Sequence, residues 1–94
     1  METEKNISWF KAVASNLQGY EIKYKFFEQG DFGSLNQVEF NSKLKGGNID
    51  FWSSGWIGIH LVDYAEGIEL INLLLEPTEK ERINDNLEKL VNLL

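Results

Sequence analysis

Residues 49–64 read Ile-Asp-Phe-Trp-Ser-Ser-Gly-Trp-Ile-Gly-Ile-His-Leu-Val-Asp-Tyr. Two apolar, aromatic-rich runs meet at Ser53-Ser54-Gly55, the pattern of two strands joined by a tight turn. Side chains alternate between the faces of a strand. Ile49 and Phe51 therefore share one face with Ile57, Ile59 and Leu61. Asp50 and Trp52 share the other with Trp56, Gly58, His60, Val62 and Tyr64. The first set is purely apolar and makes a core face. The second mixes aromatic, charged and small residues.

The same period continues outward. Leu35–Leu44 alternates, with Val38 and Phe40 inward and Gln37, Glu39 and Asn41 outward. Lys45-Gly46-Gly47-Asn48 reads as the hairpin turn between these runs, because glycine accepts the positive φ that such turns need. Tyr20–Phe26 alternates strictly, so Tyr20, Ile22, Tyr24 and Phe26 point inward and Glu21, Lys23 and Lys25 outward. Gly30-Asp31-Phe32-Gly33 is its turn; the two glycines match no phosphate-binding loop. Tyr64–Gly67 is another turn. Gly67–Leu75 is apolar on both faces, as expected of a strand covered on both sides or lying near the middle of the sheet.

Helical spacing appears only at the ends. Ile7, Phe10, Val13, Ala14 and Leu17 form one stripe, with Thr3 as the expected cap, Glu4 near the positive end and Gly19 as the stop; Trp9 lies off the main stripe. Ile83, Leu87, Leu90, Val91 and Leu94 form a second stripe. Pro77 suits its first turn, and Thr78 with Glu81 has capping-box spacing. The expected fold is α+β: a five-stranded antiparallel meander sheet flanked by an N-terminal and a C-terminal helix, both on one sheet face. Residues 1–94 make one domain.

The chain has no cysteine and one histidine. A disulfide, a thiol nucleophile and a thiolate metal site are thereby excluded. His60 beside Asp50 or Glu39 could act as a base, but no nucleophile elbow accompanies it and an open sheet face excludes little water. The expectation is neither an enzyme nor a cofactor or metal binder. The N-terminus lacks a basic stretch followed by an apolar one, and the apolar block 68–75 is too short to span a bilayer, so a cytoplasmic, membrane-independent protein is expected. Net charge is −6. Residues 63–94 contribute −5 of it, from eight acids against three bases. With a single arginine, Arg82, nucleic-acid binding is not expected. An acidic chain with aromatics on an open sheet face suits a basic protein partner. Trp52, Trp56 and His60 are the candidate anchors, and Glu39, Asp50 and Asp63 the candidate charges.

The run from Gly30 to Pro77, above all Asp50-Phe-Trp-Ser-Ser-Gly-Trp56, resembles small bacterial immunity proteins of polymorphic toxin and contact-dependent inhibition systems. The resemblance covers about half the chain, and no catalytic motif comes with it. It implies a cytosolic protein that binds one toxin tightly, in many cases a nuclease with a basic cleft, and blocks it. The alternative from the residues alone is a structural or regulatory homodimer, pairing through strand edges or the aromatic face.

Overall fold

The computed structural model describes residues 6–94. Its elements run α1 (Ile7–Ala14), β1 (Glu21–Gly30), β2 (Gly33–Asn41), β3 (Lys45–Trp52), β4 (Ile57–Asp63), β5 (Ile68–Leu75) and α2 (Lys80–Leu93). The five strands lie in the order β1-β2-β3-β4-β5 and every neighbouring pair is antiparallel. The expected α+β meander is the observed one.

Alternation sets the core. On one side of the sheet Val38, Phe40, Ile49, Phe51, Ile57, Ile59, Leu61, Ile71 and Leu75 are buried, and Phe10 of α1 with Ile83, Leu87 and Leu90 of α2 cover them. Each such side chain withdrawn from water contributes about 1.5–3 kcal/mol, before the cost of ordering the chain. Phe10 stacks on Phe40 with ring centroids 5.9 Å apart, which seats the short first helix on β2. Lys45 Nζ donates to the carbonyl of Leu93, tying β3 to the negative end of α2. Among the described residues, no helix lies on the other side of the sheet.

Four local expectations change. Thr3 and Glu4 lie outside the described residues; Asn6 caps α1, its side-chain oxygen accepting from the N–H groups of Ser8 and Trp9. Lys45-Gly46-Gly47-Asn48 is not a turn. Those residues open β3, and the connection is Ser42–Leu44, where the Ser42 hydroxyl accepts from the Leu44 and Lys45 N–H groups. Gly47 is needed for close approach: a Cβ there would stand 1.9 Å from the carbonyl oxygen of His60 on the adjacent strand. Third, β5 is an edge strand. Its adjacent apolar residues reflect a bulge: the register with β4 shifts after Leu61, so Leu70 packs against the core beside Ile71. Fourth, Thr78 does not cap α2. The cap position is Glu79, whose carboxylate reaches back to the Glu76 N–H and pairs with Arg82 at 2.6 Å.

The Glu76 N–H and the Arg82 guanidinium hold the Glu79 carboxyl below its ordinary pKa. The charged form is therefore favoured by folding. Its contribution is fully present above the unfolded carboxyl's pKa and is lost as pH falls through the depressed folded value. Glu79→Gln is expected to flatten that part of the acid limb of stability, read as thermal midpoint against pH.

One inward expectation fails at the far end of β1. Tyr24 and Phe26 face the helix side but stay 44% and 60% exposed. An eight-residue helix is about 12 Å long, whereas a ten-residue strand runs about 33 Å, so α1 cannot cover both ends of β1. Lys11 Nζ, 5.1 Å from the Tyr24 ring centroid, gives partial cover.

Candidate functional site

The helix-free face is the surface on which the outward residues converge. Lys23, Lys25, Gln37, Glu39, Asn41, Asn48, Asp50, Trp52, His60 and Asn72 occupy it in register across the five strands. It divides into an aromatic end and a polar belt.

The aromatic end is built on the Ser53–Gly55 turn. Trp52 and Trp56 meet where the Trp52 N–H donates to the Trp56 carbonyl at 3.0 Å. Phe32, from the β1–β2 turn, folds back over them, stacked on Trp56 at 4.3 Å and edge-on to Trp52 at 5.2 Å. Two serines hold that fold-back. Ser53 Oγ accepts from the Ser34 N–H at 3.0 Å, and Ser54 Oγ donates to the Phe32 carbonyl at 2.5 Å. Gly55, at φ 98°, gives the turn the left-handed step that closes it. The Trp-Ser-Ser-Gly-Trp signature is thus a clasp between two hairpin turns. Ser53→Ala is expected to cost about 1 kcal/mol and to red-shift tryptophan emission as Phe32 lifts from Trp56; unchanged emission would contradict the clasp.

Trp52 lies along the sheet. A Cβ on Gly58 would meet its six-membered ring at 3.4 Å, and one on Gly30 its Nε1 at 3.1 Å. Glycines on either side make room for the indole, whose Nε1 is buried and has no hydrogen-bond partner among the described residues. Trp52 is a packed residue as much as a surface one.

The polar belt is prearranged. Asp50 Oδ1 accepts from Gln37 Nε2 at 2.7 Å and from Asn48 Nδ2 at 3.2 Å. Lys25 pairs with Glu39 at 2.9 Å, and Lys23 with Glu21 at 3.7 Å. His60 Nε2 is 3.8 Å from Glu69 Oε1, while Asn72 Nδ2 donates to Glu69 Oε2 at 3.0 Å. At the far end the Tyr64 hydroxyl donates to Asn41 Oδ1 across Gly46, where a Cβ would collide with both.

Of the six residues singled out from the sequence, Glu39, Asp50, Trp52, Trp56 and His60 share this face. Asp63 does not join them: its carboxylate accepts from the Ala65 and Glu66 N–H groups and closes the β4–β5 turn. Glu69 and Asn72 were not anticipated. Asn72 lies opposite His60 in the regular register, and the bulge in β5 turns Glu69 onto the same face beside Val62.

A groove of about 350 Å³, lined by Trp9, Val13, Glu88, Val91 and Asn92, lies between the two helices, on the opposite side of the sheet from His60. Among the described residues, no three acidic or histidine side chains converge in a metal-holding group, and no helix is long and apolar enough to cross a membrane. Compared with protein-family profiles, curated proteins and solved structures, the chain matches none.

Proposed function

We propose that this chain is an immunity (antitoxin-like) protein that binds one cognate bacterial toxin stoichiometrically and neutralises it in the cytoplasm, without catalysis of its own. The observation that carries this reading is the helix-free sheet face, where the polar side chains are already hydrogen-bonded into fixed positions beside a rigid aromatic end. A surface ordered before contact loses little side-chain entropy on binding. The net charge of −6 supports a basic partner, such as the substrate cleft of a nuclease. The resemblance of residues 30–77 to immunity proteins supports a toxin as that partner.

The test begins with the protein as bait in lysate of its own source. The reading predicts one partner captured at 1:1 that stops growth when expressed alone and is harmless when co-expressed with this chain. A captured protein whose toxicity is unaffected by co-expression would contradict it.

A homodimer is the second reading, favoured by one observation: exposed Tyr24 and Phe26 flank the free edge of β1. Lys23, Lys25 and the register shift between Phe27 and Gly30 are features that discourage edge pairing. Sedimentation at micromolar concentration separates the readings, with a monomer expected.

A further inference from the structure

The open face does not present its charges evenly. Lys25 and Lys23 are spent on Glu39 and Glu21 within the same face. Among the described residues, two carboxylates on this face have no lysine or arginine partner, Asp50 and Glu69. Both accept from side-chain amides, Asp50 from Gln37 and Asn48 and Glu69 from Asn72, and His60 Nε2 lies 3.8 Å from Glu69. Amide donors orient a carboxylate without cancelling its charge. Asp50 is half-buried, and its second oxygen, Oδ2, is 3.2 Å from where a Cβ on Gly58 would stand, beside the Trp52 ring. A partly desolvated carboxylate lacking a cation gains most from one supplied from outside.

We infer that Asp50 and Glu69 form a two-point receptor for a pair of basic side chains on the partner protein. Asp50 pairs through Gly58 on β4, and Glu69 pairs with Val62 on the same strand. Four residues along β4 and two strand spacings across put their backbones about 16 Å apart. One lysine or arginine cannot bridge that span, so the partner supplies two whose charged heads stand a comparable distance apart. Between them His60 lies in register with Asn48 and Asn72. A second copy of this chain fits poorly, since both copies would bring the same uncompensated carboxylates to the contact. This inference rests on the sheet face being the contact surface, and it narrows the charges that matter to Asp50 and Glu69, leaving Glu39 and Asp63 to the fold.

The test uses the full chain and the peptide acetyl-Arg-Gly-Ser-Gly-Ser-Arg-amide, titrated by two-dimensional NMR of the nitrogen-15-labelled protein at low salt. The expected result is saturable shifts of the Gln37, Asn48 and Asn72 side-chain amides. The Asp50→Asn/Glu69→Gln double variant, which preserves shape and leaves each side chain one acceptor oxygen, is expected to bind about tenfold more weakly. Glu81→Gln/Asp85→Asn removes the same net charge from exposed positions on α2 and is expected to bind within about twofold of the parent. A peptide with the two arginines adjacent is expected to bind more weakly than the spaced one. Shifts on the sheet face that persist unchanged in the Asp50/Glu69 variant, or equal binding of the two peptides, would overturn the two-point receptor while leaving the face as the contact surface. Shifts confined to α2, or no saturable shifts, would overturn both. Matching melting curves for the variants exclude misfolding as the cause.

Discussion

Gly47→Ala is expected to destabilise the protein by about 3 kcal/mol, the upper part of the range for forcing a group into a filled site. For a chain of this length that lowers the thermal midpoint by roughly 12–24 °C. The obstacle is backbone: the added carbon would stand 1.9 Å from the His60 carbonyl oxygen and 3.0 Å from the Leu61 Cα. A side chain could rotate away, but a ladder carbonyl moves only if β3 and β4 separate. Gly67→Ala is the informative comparison. Gly67 sits in the β4–β5 turn at φ 68° with nothing within 4 Å of its missing Cβ, so the cost there is only the left-handed backbone, about 1 kcal/mol. Were Lys45–Asn48 a turn, the two substitutions would cost about the same. Urea titrations of both variants give the difference directly.

Phe40→Ala is expected to cost about 3–5 kcal/mol, the largest effect of any single truncation considered. Phe40 is fully buried, stacked on Phe10 and edge-on to Tyr20 at 6.4 Å. Removing the ring leaves a cavity and also takes away the surface on which α1 is seated. Trp9 emission is expected to shift as α1 loosens. Phe26→Ala, on the same face by alternation, is expected to change stability by no more than about 0.5 kcal/mol, because its ring is mostly in water. Equal losses from the two variants would mean that something covers Phe26 in solution, which would favour the homodimer.

These contrasts mark what the residues disclosed and what they did not. Strand faces at Gln37–Asn41, Ile49–Trp52 and Ile57–Val62 were legible because each of those runs keeps a strict period of two over a half-buried surface. Sheet order was legible because every connection is too short for a crossover. The failures share a cause, which is that one residue type serves two physical ends. Gly46-Gly47 has turn composition, yet here glycine clears space for the Tyr64–Asn41 pair and for the His60 carbonyl. The apolar run of β5 resembled a doubly covered strand, yet a bulge brings adjacent Leu70 and Ile71 to one core. That bulge is also what puts Glu69 on the open face beside Asn72. Ser53 and Ser54 looked like simple turn residues, while their hydroxyls join the turn to another hairpin nineteen and more residues away in sequence. Alternation carries no information about contacts of that range.

The aromatic pair shows how the candidate site shifted in meaning. Trp52 and Trp56 are on the open face, as alternation required, but they are packed under Phe32 and against glycines. Truncating both would damage the clasp as well as any contact, so loss of binding in such a variant would not isolate the surface. Exposed polar positions isolate it better.

The most direct test of the account is the affinity of the captured 1:1 partner for two arginine variants. Asn72 and Asn16 are both exposed asparagines, the first on the open sheet face and the second just past the end of α1. If the sheet face receives a basic partner, Asn72→Arg weakens binding at least about tenfold through bulk and like charge, and Asn16→Arg leaves it within about twofold. Loss of affinity in Asn16→Arg with none in Asn72→Arg would place the contact on the helical side and contradict the account.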